Sequence, residues 1–216
     1  MTTSRIRKPA IALSLLVLFT SAAAAQQQSS AAADEDFWPC VQRKVPELSL
    51  PQIWNGPALP EEASKWPEDR EISNLVRQVA QRRISLEEAE QQIRDFAEKL
   101  PPDQRDQRLL MVVRGLFDLM NRERSDVMIS IERFTKRQIA LADSIRKELA
   151  ELEELSDKPD VDTAELERRR EQVNFTARAF QDRNQSITFV CEVPTIIEQR
   201  LYRLANSILP LLNDRS

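Results

Sequence analysis

Leu109–Leu155 reads LLMVVRGLFDLMNRERSDVMISIERFTKRQIALADSIRKELAELEEL, and the period of its apolar residues decides the fold. With Val113 at heptad position a, the a positions are Val113, Met120, Val127, Phe134, Leu141, Glu148 and Leu155. The d positions are Leu110, Phe117, Arg124, Ile131, Gln138, Ile145 and Leu152. Eleven of these fourteen are apolar, over a length that favours a coiled-coil seam above an ordinary amphipathic helix, whose stripe lasts two or three turns. From Asp103 to Leu155 there is no proline, and Gly115 is the one glycine. Unbroken, that helix is roughly 80 Å long. The run Asn121–Asp126 is polar and could hold a kink.

Downstream, Ser156–Thr163 (SDKPDVDT) is a turn with helix-capping residues, followed by a second long helix over about 164–213, kinked near Pro194. A short turn makes the two helices antiparallel neighbours. If the hairpin is symmetric about residue 159, Leu152 faces Leu166, Ile145 faces Val173 and Ile131 faces Ile187. The same register sets Glu148 opposite Arg170, a charged pair within the seam. It puts Gln138 and Asn184 in adjacent layers, near enough for a diagonal hydrogen bond that fixes register. The tip carries Asp157, Pro159, Asp160 and Asp162, a candidate partner-binding tip. The spacing of these carboxylates is not that of an EF-hand, and capping explains them better than a metal does.

Upstream of the long helix, two short helices are expected over about 68–82 and 86–100. The first starts at Pro67, and the second at a capping box of Ser85 with Glu88. Pro101-Pro102 ends the second. Residues 37–67 are of another kind. They hold half of the twelve prolines and all three tryptophans, Trp38, Trp54 and Trp66. Proline keeps such a stretch out of helices, while the indoles need burial. An extended strap docked across the helices satisfies both demands, and a proline-rich segment docked on a partner is the alternative.

The N-terminus has the order of a signal peptide over 1–25: basic Arg5, Arg7 and Lys8, an apolar run Ala10–Phe19, then Ala23-Ala24-Ala25 before the cut. An uncleaved anchor is the competing reading, but the apolar run is short for a bilayer. Residues 26–35 read as a flexible leader. Removing residues 1–25 takes away three basic residues and no acidic one, which moves the net charge from −4 to −7. That balance argues against nucleic acid as a partner. Export places the chain in a bacterial periplasm or outside the cell. There, Cys40 and Cys191 are expected to form one bridge that staples the strap to the helices, with free thiols or a bridge between chains as the alternatives. Two sequons, at Asn174 and Asn184, matter only in a eukaryotic secreted protein, and the expected register puts Asn184 on the seam.

The chain has no histidine, which removes the commonest general base and a common metal ligand. It has no glycine-rich phosphate loop, nucleophile elbow, Cys-x-x-Cys pair or haem-attachment motif. No catalytic, cofactor-binding or metal-ligating residue is therefore expected. The fold expected is all-α: a long antiparallel coiled-coil hairpin, a small helical head and a proline-rich N-terminal strap. The expected function is that of an exported structural or adaptor protein of the cell envelope, binding another envelope protein through the hairpin. A periplasmic chaperone or a helical sensor is the alternative, and a carboxylate-dependent hydrolase ranks last. No transmembrane segment is expected in the mature chain, and a homodimer is left open.

Overall fold

A computed structural model describes residues 38–213. The expected signal peptide and the leader lie outside the described residues. Among those described, every regular element is helical: α1 (Leu50–Ile53), a 3-10 turn (Glu61–Lys65), α2 (Arg70–Val79), α3 (Leu86–Lys99), α4 (Pro102–Ser156), α5 (Thr163–Asn206) and a closing 3-10 turn (Leu209–Leu211).

Side chains at the helix starts account for the boundaries. The Asp69 carboxylate accepts hydrogen bonds from the Glu71 and Ile72 amides at 3.0 and 3.1 Å, so α2 begins beyond Pro67. Ser85 Oγ accepts from the Glu88 amide at 3.1 Å and opens α3. Leu100 turns extended ahead of Pro101, and Pro102 takes the first turn of α4, where its missing N–H costs nothing. Asp162 caps α5 by accepting from the Ala164 and Glu165 amides.

The 55 residues of α4 run as one helix through Asn121–Asp126, the polar run that could hold a kink. Three side chains there, Asn121, Arg124 and Ser125, hold the strap. Asn121 Oδ1 accepts from the Leu48 amide at 3.1 Å and its Nδ2 donates to the Leu48 carbonyl at 3.3 Å. Arg124 donates to the Val45 carbonyl at 2.7 Å, and Ser125 Oγ to that of Pro46 at 2.9 Å. The strap is irregular chain with no ladder of its own, so its carbonyls need these donors. Helix α5 likewise continues through the buried Pro194 without starting a new segment.

The head holds one continuous core. Ile72 and Val76 of α2, Ala89 and Ile93 of α3, Leu109, Val113 and Leu116 of α4, and Ile197, Leu201 and Leu204 of α5 are all fully buried in it. Burial of each large aliphatic side chain contributes about 1.5–3 kcal/mol. The strap adds Leu48, Ile53 and Trp54. Gly115 lets Trp66 lie across α4: a Cβ there would stand 2.8 Å from Val76 Cγ2 and 3.0 Å from the Trp66 ring. The indole then donates to Asp118 at 3.1 Å.

Helices α4 and α5 pack against each other as a hairpin that extends beyond the head. All fourteen seam residues of α4 are buried or half-buried, the polar Arg124 and Gln138 among the buried ones. Near the tip, Leu152, Leu166 and Val173 form a small separate core.

Two expectations about the seam are corrected. Arg170 does not pair with Glu148; it bonds Glu167 on its own helix at 2.9 Å. Arg169 takes the place, at 2.8 Å from Glu148 and 3.0 Å from Glu151. The inner face of α5 steps by three and then four residues, Leu166, Arg169, Val173, whereas reflecting the α4 pattern about residue 159 gives four and then three. Cβ atoms tilt toward the N-terminus of each helix, so antiparallel helices are not mirror images. Asn184 is exposed rather than on the seam, and Gln138 Oε1 is buried without a hydrogen-bond partner, so no bond joins these two.

Candidate functional site

Cys40 and Cys191 are joined in a disulfide, with a Cα–Cα distance of 5.4 Å. The bridge fixes the start of the strap to α5, while the hydrogen bonds from Asn121, Arg124 and Ser125 and an ion pair of Lys44 with Glu132 at 2.6 Å fix it to α4. The base of the hairpin is thereby covered along one side.

The opposite side is bare. Around α4, Asn121, Ser125 and Glu132 fall on one flank of the seam residues Arg124 and Ile131, and Glu123, Asp126 and Ser130 fall on the other. On that second flank lies a groove of about 930 Å³ between the two helices. Its apolar floor is Leu119, Val127, Ile131 and Phe134 of α4 with Ile187, Val190 and Val193 of α5. Arg82, Arg122, Glu123, Asp126, Arg137, Asp182 and Arg183 line its edges. The Arg82 guanidinium, from the loop between α2 and α3, stands 3.5 Å from Glu123 and closes the head end. Outside this lining, α5 carries exposed aromatics. Phe175, Asp182 and Phe189 recur every seven residues on α5, and the two phenylalanines are 66% and 75% exposed.

The electrostatics of the hairpin base centre on Arg124, which is 5% exposed. Burial pushes its pKa down, and the Glu198 carboxylate, 3.4 Å from Nε, pushes it back up. Nearer the tip, the hydrogen bonds from Arg169 to Glu148 and Glu151 raise the Arg169 pKa. A smaller hollow in the head, of about 480 Å³, includes Ile53, Ile196, Arg200 and Tyr202. In it the Tyr202 hydroxyl accepts from Asn55 at 3.1 Å and Arg200 donates to the Val79 carbonyl at 2.8 Å, while the buried Arg200 Nε has no partner.

At the hairpin tip, Asp157 ends α4 and the Asp162 carboxylate is taken up by the two amides it caps. Pro159 and Asp160 are exposed between them. Among the described residues, no three acidic or sulfur side chains are grouped so as to hold a metal ion. The groove itself was not foreseen from the sequence. Part of its floor, Val127, Ile131 and Phe134, was already assigned to the seam, and nothing in the sequence marked one side of that seam as open.

The chain matches no family model, no curated protein and no solved structure.

Proposed function

We propose that this is an exported structural or adaptor protein of the cell envelope, which binds a protein partner through its helical hairpin. The observation that carries this reading is the bare apolar groove between α4 and α5, on the flank opposite the strap. A groove between two parallel-running helices takes an amphipathic helix as a third member, reading apolar anchors at helical spacing. The heptad seam makes the hairpin a coiled-coil stalk stiff enough to present that groove, and the exposed Pro159 and Asp160, at a distance from the head.

Export rests on the order of basic, apolar and small residues at the N-terminus, and the disulfide suits an oxidising compartment. Among the described residues, no helix is long and apolar enough to cross a membrane. The charged residues lining the groove are mostly exposed ones, rather than an acid–base pair enclosed over its floor, so binding suits it better than catalysis.

Photo-crosslinking residues placed at Ser130 and Ser186, both in the groove, test the reading in cells that express the full chain. A discrete adduct from these two positions, absent from a probe at the tip-proximal Glu153, is the expected result. Adducts that do not depend on the probe position would overturn it. The exposed Phe175 and Phe189 favour a second reading, a chaperone that holds unfolded chains. On that reading, stoichiometric amounts suppress the aggregation of a denatured client, and Val190→Glu abolishes the effect.

A further inference from the structure

We infer that the groove is closed by the same groove on a second copy of this chain, so that two hairpins make a four-helix stalk. The inference rests on reading the groove as a surface for helices, and it names the occupant.

Three observations carry it. The first is what the stalk lacks. No residue is buried in 139–151 of α4 or in 174–190 of α5. Leu141, Ile145, Phe180 and Ile187 point along the seam yet are only half-buried. Two helices enclose a line of contact, whereas four enclose a core. Within the groove itself Val127, Phe134, Ile187 and Val193 are only half-buried, and a second hairpin laid on the bare flank covers them without any change in the first.

The second is the charge pattern. A two-fold contact sets a patch against itself, so the patch must be self-complementary. Toward the head the groove edge carries Arg122 and Asp126, with Glu123 already held by Arg82. Toward the tip it carries Arg137, Asp182 and Arg183. A copy turned end for end about a two-fold stacks α4 on α4 and α5 on α5, which lays Asp126 toward Arg137 of the second copy along the same α4 edge. The apolar middle meets its own counterpart.

The third is area. The α4 side of the groove runs from Leu119 to Arg137, about 27 Å at the helical rise, and two helices side by side are about 20 Å wide. That face is roughly 540 Å² per copy and roughly 1,100 Å² for the pair, at the low end for specific complexes. A reversible dimer is the form that such an interface supports.

Sedimentation velocity on the purified, oxidised full chain tests this across a concentration series reaching about 200 μM, where a dimer of micromolar Kd is fully formed. The expected result is a monomer–dimer equilibrium. Asp126→Arg should weaken it about tenfold, and adding Arg137→Asp should recover most of that loss. Circular dichroism on each variant separates a lost interface from a lost fold. Recovery by the double variant supports the end-for-end dimer, and a double variant no better than the single one overturns it. A chain that stays monomeric throughout also overturns the second copy. If the Ser130 and Ser186 probes still capture a different protein, the adaptor reading survives that failure; if they capture nothing, both readings fall.

Discussion

Arg124 is 5% exposed, and its guanidinium is held there by a hydrogen bond to the Val45 carbonyl and an ion pair with Glu198 at 3.4 Å, while its buried Nε makes no hydrogen bond. A buried charge of this kind is costly unless it is paired, so the residue ties the seam to the strap and to α5 at one point. Arg169 works differently. It is half-exposed and chelates Glu148 and Glu151 across the hairpin, while its neighbour Arg170 reaches only Glu167 on its own helix. A pair of double-mutant cycles separates them. Glu148→Ala and Arg169→Ala should be non-additive in urea unfolding, each costing less once the other is made. Glu148→Ala and Arg170→Ala should simply add. Coupling in the second cycle and none in the first would show that the register differs by one residue on α5.

The strap is the element that depends most on its surroundings. Its first part, residues 40–48, is held by the disulfide, the Lys44–Glu132 pair and hydrogen bonds from α4, and it buries little besides Leu48. Its second part buries Ile53, Trp54 and Ala63 in the head and carries two helical turns. Cross-linking residues 151 apart in sequence removes unfolded-state entropy worth about 5 kcal/mol at most. Reduction should therefore lower global stability by up to that amount, and its local effect should be confined. Hydrogen exchange is expected to quicken across 40–48 and to stay slow in 50–66, with the helical circular dichroism retained. Release of the whole strap together, or of none of it, would contradict this division.

At the scale of the molecule, stability is unevenly spread. The head has a continuous core of fully buried aliphatics, while the hairpin beyond it has one small cluster, Leu152 with Leu166 and Val173, and a long middle with no buried residue. Opening free energies follow buried apolar contacts. In a dilute, monomeric chain, amides in 139–150 and 176–188 should exchange fastest within the long helices, those in 109–120 and 197–205 slowest, and those around Leu152 and Leu166 in between. Uniform protection along α4 would mean that the stalk is held by something other than its own seam. Protection of the groove stretches 119–137 and 182–193 that rises with protein concentration is the signature of a second hairpin.

The heptad period in Leu109–Leu155, the scarcity of glycine and the turn at Pro159 were enough to read an all-α chain with two long helices packed as a hairpin. That follows because periodicity and capping act locally and leave their record in neighbouring residues. The Cys40–Cys191 bridge was legible for another reason, since only two cysteines occur. Tertiary structure alone decided what lies far apart in sequence. It set Arg169 in place of Arg170 across the seam, because side chains lean one way along each helix and the two helices run in opposite senses. It made Asn121, Arg124 and Ser125 of the polar run in α4 the strap's docking site, because the strap's carbonyls needed donors. It left one flank of the hairpin bare, because the strap can cover only one side of two helices.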